Sequence, residues 1–418
     1  MRRRLILTTG ILVGALSVGC GGSGSTGPHQ PPSIPVPSGI YVLNENSNEQ
    51  SLATAYASGL TAAPAYDSDV AGHAIFVPIA KVLPSVSTWG QFSWSWTYLD
   101  SLVDIAVSHH KKFSLEFEVG FQAESTYQIS MPQGFVSACG AGCAHLFDVW
   151  VVGGVAPRCI DAIVPLPWIA NVQQMWTALA SDAAAHLKQT GAYSSLTLVH
   201  VPGLSVYDEE LRLPTGTPRP TASDSTIKCP DGKPAYPTTI TDADTTAWRA
   251  LGYSDSAVVS GFSVIAAGFA RAFPDRYLGL SLLNPGTVGL DFPNLTGDPV
   301  GQVASELVQA VSTIAPGRVQ LQADDLDINH VLAEVTTLAT TYGDAVGWQT
   351  NKHAGTGAGC NGAGPSSCSP DGPSGLYFQL LQAGAQNHGE YIEVWSADVV
   401  QYPQSIASAV AQGYYAVK

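Results

Sequence analysis

The sequence predicts a (β/α)8 barrel, a TIM barrel, and two observations favour this fold. Eight apolar segments of strand length alternate with helix-length segments along about 380 residues, which is the element order of such a barrel. Several of these strands are polar on one face, as expected where one face points into a barrel. Alternation alone does not close a sheet, so an open, doubly wound sheet is the alternative. Eight units without a reversal point favour closure.

The predicted strands follow the chain in order. The first four are GIYVLNEN (39–46), AIFVPIAK (74–81), FSLEFEVGF (113–121) and LTLVHVPG (196–203). The last four are YLGLSLLN (277–284), VQLQADDL (319–326), VGWQTN (346–351) and YIEVWSAD (391–398). The segments between them carry apolar residues at three- and four-residue spacing, as Leu99, Leu102, Val103 and Ala106 do, and this spacing predicts helices.

Three of the predicted strands place polar residues at alternate positions. These residues are Ser114, Glu116 and Glu118, then Gln320, Gln322 and Asp324, then Tyr391, Glu393 and Trp395. The apolar face of each strand can pack against the helices, so the polar face is expected to point inward. Burying an unpaired carboxylate costs several kcal/mol. Repeated inward acids therefore indicate a functional site.

Long connections follow the third, fourth and seventh strands, and such loops lie on the C-terminal face, where barrel enzymes keep their active sites. These connections contain all the cysteines after residue 20, namely Cys139, Cys143, Cys159, Cys229, Cys360 and Cys368. An even number of cysteines in an exported protein predicts up to three disulfides, which would tie these loops. A zinc site is the alternative, but Cys139 and Cys143 lack a partner pair at zinc-finger spacing.

The first residues predict export. MRRRLILTTGILVGALSVGC has a basic start, an apolar run and small residues before Cys20, as in a lipoprotein signal peptide (residues 1–20) with Cys20 lipidated. An ordinary signal peptide or a short membrane anchor is the alternative. Residues 21–38 are predicted to be a flexible tether, and 39–418 a single barrel domain. We expect the protein at the bacterial cell envelope, periplasmic or on the cell surface, attached to the membrane only through its lipid anchor.

The charge balance limits the possible partners. The chain has 33 acidic and 18 basic residues, a formal net charge of −15, and loss of the leader would make it three units more negative. Nucleic acid and anionic membrane surfaces are therefore not expected to bind. No segment indicates a cofactor or a metal site, and the absence of a G-x-S-x-G motif disfavours an esterase of the nucleophile-elbow type.

Several segments resemble retaining glycoside hydrolases of clan A, especially their β-galactosidase-like branches. They are FSWSWTYLDSLVDIAVSHHKKFSLEFEVG, the PLPW at 165–168, and FPDRYLGLSLL, and the resemblance extends over most of residues 38–418. It implies a sugar-cleaving barrel that uses two glutamates, with the general acid/base at the end of the fourth strand. The residue matching that position is Glu210, in DEELRLP, although Glu209 stands where the family has asparagine.

The family places its nucleophile at the end of the seventh strand, and here this sequence differs. The strand contains Gln349 and Asn351 but no carboxylate, and an amide cannot act as the nucleophile. Either the strand count is off by one or the second carboxylate comes from another strand. Glu393 is the preferred candidate, because it is predicted to point inward between two aromatic residues, and Asp324 and Glu118 come next.

We therefore predict a glycoside hydrolase that cleaves an extracellular or periplasmic oligo- or polysaccharide with a pair of carboxylates. Glu210 would be the general acid/base and Glu393 the second carboxylate. The predicted substrate-binding residues are Glu118, Asp324, Gln349 and Asn351 for sugar hydroxyls, and Trp94, Trp168 and Trp395 for stacking. The alternatives are a non-catalytic carbohydrate-binding lipoprotein on the same barrel, and a barrel that acts on another exported polymer.

Overall fold

In a computed structural model of the chain, eight parallel strands close into a barrel. The structure describes residues 34–43, 69–118, 131–140, 142–151, 158–204, 211, 249–282, 302–328, 331–350 and 368–416. They belong to one compact unit, residues 34–418. The closed order of the strands confirms the predicted (β/α)8 barrel and rules out the open sheet.

The elements are as follows. The strands are β1 (Gly39–Leu43), β2 (Val70–Pro78), β3 (Lys112–Glu118), β4 (Ala144–Val151), β5 (Arg158–Pro165), β6 (Leu196–His200), β7 (Tyr277–Leu282), β8 (Val319–Leu326), β9 (Ala345–Thr350) and β10 (Gly389–Trp395). The helices are α1 (Ile79–Val82), α2 (Thr97–Ser108), α3 (Phe135–Cys139), α4 (Ala170–Thr190), α5 (Asp255–Ala272), α6 (Gln302–Ile314), α7 (Ala333–Tyr342), α8 (Leu376–Gln386), α9 (Ser396–Gln401) and α10 (Pro403–Ala411).

Around the barrel the strands follow the order β1, β10, β9, β8, β7, β6, β3, β2 and back to β1. The fourth to eighth barrel strands are therefore β6 to β10, and each predicted strand corresponds to one of the eight. Some ends differ from the prediction: β2 begins at Val70, and β10 stops at Trp395 because α9 begins at Ser396. The antiparallel hairpin β4–β5, within the connection after β3, was not predicted.

The two faces of β3 show how the sequence pattern builds the barrel wall. Phe113, Leu115 and Phe117 are fully buried in the hydrophobic core, which also contains the apolar residues of α2. Burying each such side chain stabilises the fold by about 1.5–3 kcal/mol. Ser114 lies on the opposite face, and its hydroxyl reaches Glu393 of β10. Since β1 and β2 separate β3 from β10 in the barrel, this contact crosses the interior, as expected for an inward polar face.

The disulfides are shown only in part. Cys139 and Cys143 form a disulfide that closes a short segment of the connection after β3. Cys368, in the connection after β9, is also disulfide-bonded and is fully buried. Cys20, Cys229 and Cys360 lie outside the described residues. Disulfide ties across all three long loops therefore stay a prediction.

Candidate active site

The interior of the barrel is lined by buried polar side chains. They come from six of the strands and are Ser114 and Glu116 (β3), His200 (β6), Ser281 (β7), Gln320, Gln322 and Asp324 (β8), Gln349 (β9), and Tyr391 and Glu393 (β10). Side chains alternate between the two faces of each strand, and the register pairs Glu393 with Gln349 and Ser281 with Gln322. The buried polar side chains therefore lie in one region of the interior. A network of polar side chains therefore occupies the interior of this barrel.

Glu393 lies at the centre of this network and is fully buried. Its Oε1 accepts a short hydrogen bond from the hydroxyl of Tyr391 and a longer one, 3.5 Å, from Ser114. Its Oε2 accepts a hydrogen bond of 2.9 Å from the amide of Gln322. Burial, followed by the charge of Glu393, raises the pKa of Tyr391 well above its ordinary value, so the phenol stays protonated and donates. Three donors thus fix the orientation of this carboxyl group.

Gln322 connects Glu393 to a second carboxylate, Asp324. The Nε2 atom of Gln322 is 2.9 Å from Oδ1 of Asp324 and 2.9 Å from Oε2 of Glu393. These two carboxylate oxygens are therefore no more than twice that distance apart. Nε2 also lies 3.5 Å from Oε1 of Gln349. The structure thus brings together three of the residues that the sequence predicted for the site: Asp324, Gln349 and Glu393.

His200 lies on the opposite side of the barrel, because three strands separate β6 from β10 in either direction. Its Nδ1 is 2.8 Å from Oγ of Ser281 and 3.3 Å from Oε2 of Glu116, while its Nε2 points across the interior to Oε1 of Glu393 at 4.0 Å. Burial lowers the pKa of His200 to about 3, so the ring is neutral near pH 7. A neutral imidazole thus lies between two buried carboxyl groups.

Glycines on the inner face make room for these side chains. A methyl group on Gly279 would come within 2.7 to 2.9 Å of three atoms of the His200 ring. One on Gly347 would come within 2.4 Å of Nε2 of Gln320. At Gly279 the methyl group would meet the rigid imidazole, so this position requires glycine, whereas at Gly347 the flexible end of Gln320 would have to move aside.

The other predicted residues have different surroundings. Glu118 ends β3 and is partly exposed, and Trp395 ends β10, where its indole donates to the carbonyl of Thr350 at 2.9 Å. The indole of Trp94 donates to Asp182 of α4 at 2.6 Å, which places it on the outer ring of helices.

Trp168 donates to the carbonyl of Leu251 at 3.0 Å. The network described above contains none of the three predicted tryptophans. Glu210, Asn351 and Cys20 lie outside the described residues.

No role was predicted for His200, Ser281 or Gln322 from the sequence. The alternation of Gln322 with apolar neighbours predicted that it faces inward, and this pattern could have identified it as a site residue. His200 is the single titratable residue in the apolar segment LTLVHVPG, a usable but weaker signal. The seventh barrel strand, β9, carries no carboxylate, as its sequence AVGWQT requires.

The described residues contain neither a candidate metal site nor a candidate membrane-spanning helix. No group of three or more His, Cys, Asp or Glu side chains in the described part of the chain could hold a metal ion. No helix among the same residues is long and apolar enough to cross a membrane.

Comparison with known proteins identifies the fold. No protein-family sequence model and no curated protein matches the chain. The catalytic domain of β-amylase from Paenibacillus polymyxa aligns with a TM-score of 0.55 and 10% identity, over 90% of this chain and 97% of that domain. An intracellular xylanase from Thermoanaerobacterium saccharolyticum aligns over 86% of this chain and 85% of its own, with a TM-score of 0.41 and 12% identity. The β-amylase likeness shows a shared barrel fold.

Proposed function

We propose that the protein is a glycoside hydrolase in which Glu393 is one of two carboxylates that act on the glycosidic bond. The observation that carries this proposal is the Glu393 carboxylate itself, held by Tyr391, Gln322 and Ser114 inside a polar barrel. Such fixed orientation is what a nucleophile or general base requires. The shared fold with a β-amylase catalytic domain supports the same class of reaction.

Glu210 is the proposed general acid/base, by its resemblance to the fourth-strand glutamate of β-galactosidase-like enzymes. Asp324 and Gln349, which contact the same amide as Glu393, would bind sugar hydroxyls together with Glu118 and Asn351. Trp395, at the end of the strand that carries Glu393, would stack on a sugar ring. We further propose that the protein is exported and lipid-anchored through Cys20, so that its substrate is an extracellular or periplasmic glycan.

The test is the release of reducing sugar from a panel of oligo- and polysaccharides. We expect Glu393→Gln and Glu210→Gln each to lower kcat by at least about a hundredfold, the usual contribution of such groups. Glu390→Gln is the matched control, because Glu390 lies on the same strand but alternates with the inward residues. Full activity of Glu393→Gln would refute its role. NMR of the first-formed anomer would then distinguish a retaining from an inverting reaction.

A non-catalytic carbohydrate-binding lipoprotein is the second candidate, and one observation favours it. The seventh barrel strand, β9, has Gln349 where the resembled enzymes carry their nucleophile. In a binder, titration calorimetry should detect a glycan that the wild-type protein does not cleave, and Glu210→Gln should leave its affinity nearly unchanged. A protein that neither cleaves nor binds any glycan would contradict both candidates and direct the search to other exported polymers.

A further inference from the structure

The barrel interior is apolar over one sector, towards the C-terminal ends of β1 and β2. On β2, Ile75 and Val77 belong to the hydrophobic core, so Phe76 between them faces the interior. On β1, Val42 belongs to the same core, and Leu43, the next residue, therefore faces inward. The other six strands contribute the buried polar side chains described above. The interior thus has an apolar sector and a polar sector.

Phe76 lies at the border between the two sectors. Its register partner on β3 is Glu116. Neighbouring strands are about 4.8 Å apart, and both residues face inward, so the two side chains leave the sheet next to each other. Glu116 lies 3.3 Å from Nδ1 of His200, whose Nε2 is 4.0 Å from Glu393. Phe76 is therefore a neighbour of the polar network that contains the proposed reacting carboxylate.

Phe76 differs from the residues of that network in its exposure. The network is shielded from solvent, whereas Phe76 is partly exposed, as are Glu118 at the end of β3 and Trp395 at the end of β10. The ring of Phe76 is not part of the described hydrophobic core. Because Phe76 lies two residues before the end of β2, solvent reaches its inward side chain through the C-terminal mouth of the barrel. Accessible aromatic rings inside a concave site are surfaces on which ligands pack.

Trp395 extends the apolar sector on the other side of β1. Glu393 faces inward, so Trp395, two residues later on the same strand, continues that face, and its register partner is Leu43. The indole N–H already donates to the carbonyl of Thr350 at 2.9 Å. The indole therefore has only its apolar surface to offer a ligand. Phe76, Leu43 and Trp395 are called the apolar wall below.

A ligand that fits both sectors needs an apolar face and a polar rim. A sugar ring has this distribution, because C–H bonds cover its faces and hydroxyl groups surround its rim. The polar sector offers an acceptor for such a hydroxyl: Nε2 of Gln322 lies 2.9 Å from both Asp324 and Glu393, and its Oε1 is buried with no hydrogen-bond partner among the described residues. A wholly apolar ligand would leave the polar sector unpaired, which is costly.

We propose that the apolar wall binds the C–H face of a sugar ring, and that Phe76 determines which sugars fit. An axial hydroxyl on the face turned to the wall would be buried against Phe76 without a hydrogen-bond partner, which disfavours binding. Phe76 therefore discriminates against epimers with an axial hydroxyl on that face. The inference rests on the proposed function only in taking a glycan as the ligand, and Phe76 is a specificity residue that takes no part in the chemistry.

The experiment compares oligosaccharides that differ only in the configuration of one hydroxyl. Dissociation constants are measured by titration calorimetry for sugars that bind without cleavage, and kcat/KM for sugars that are cleaved. For the preferred epimer, Phe76→Ala should weaken binding or lower kcat/KM by about tenfold, and Phe76→Leu should have a smaller effect. The rejected epimer should be affected less, so the preference between epimers falls in Phe76→Ala.

Phe92→Ala is the matched control. Phe92 is also a partly exposed phenylalanine, but it packs against Trp89 and Trp94 on the outer ring of helices. This variant should keep the wild-type preference between epimers. Unfolding curves establish that Phe76→Ala is folded, which is expected because its side chain lies outside the core.

The outcomes separate this inference from the proposed function. A wild-type protein that treats epimers alike, or a Phe76→Ala variant that loses affinity equally for all of them, would overturn the role of Phe76. If glycans are cleaved and Phe76→Ala leaves the preference unchanged, the inference fails and the hydrolase stands. If Phe76→Ala changes the preference for glycans that are bound and never cleaved, the hydrolase fails and the apolar wall stands. Binding of peptides but of no sugar would contradict both.

Discussion

Gly279 lies beneath the His200 ring, and replacing it with alanine tests whether the glycine is required by that ring. The new methyl carbon would lie 2.7 Å from Nδ1, 2.9 Å from Cε1 and 2.9 Å from Cγ. Rotation of the ring would break its 2.8 Å contact with Ser281. Because the ring is buried on all sides, relief of the clash requires movement of the barrel wall.

The expected cost follows from these contacts. Overpacking a close-packed interior costs about 1–3 kcal/mol, and loss of the contact with Ser281 adds about 1 kcal/mol. About 0.5–1 kcal/mol of this destabilisation is offset, because alanine restricts the unfolded chain more than glycine does. We therefore expect Gly279→Ala to lower the free energy of unfolding by about 2 kcal/mol.

A double-mutant cycle with His200→Ala distinguishes a clash with the His200 ring from a failure of β7 to accept any side chain at position 279. The free energy of unfolding is measured by denaturant titration followed by tryptophan fluorescence. Once the ring is removed, Gly279→Ala should become neutral or slightly stabilising, which gives a coupling energy of about 2 kcal/mol. An equal cost with and without His200 would refute the reasoning.

Three further predictions concern single groups. Tyr391→Phe removes a donor to buried Glu393 and should cost about 1.5–3 kcal/mol of unfolding free energy, whereas a cost near zero would contradict the network. Burial raises the pKa of Asp344 to about 6, above its unfolded value near 3.8, so the folded state holds the proton more tightly and stability falls as pH rises between these values. Because Asp344 is partly exposed, solvent screening limits the effect to about 1 kcal/mol. At pH 7 the Asp344→Asn variant should therefore be more stable than the wild-type protein by this amount, and below pH 4 the two should be equally stable. Unfolding curves at both pH values measure the difference. Replacing Cys139 and Cys143 with alanine opens a short loop and should cost about 2 kcal/mol, measured in the same way; an unchanged denaturation midpoint would contradict this.

The elements of the barrel were predictable from the sequence because local patterns determine them. An apolar residue at every second position, as in Phe113, Leu115 and Phe117, specifies a strand with one apolar face. Tertiary contacts moved some ends by a few residues, as at Val70 and Trp395. The hairpin β4–β5 was missed, because its apolar segments lie inside what was interpreted as one long connection.

The sequence by itself determined the barrel class and which polar residues face inward, since a strand's alternation of side chains fixes both. It placed Glu116, Asp324 and Glu393 on that inner face. Only the tertiary structure decided that Glu116 and Glu393 share His200, and that Gln322 bridges Asp324 and Glu393. The contacts of Glu393 with His200 and with Gln322 join strands that are not adjacent in the barrel. They depend on barrel diameter, register and the space above Gly279, quantities that arise only when the sheet closes.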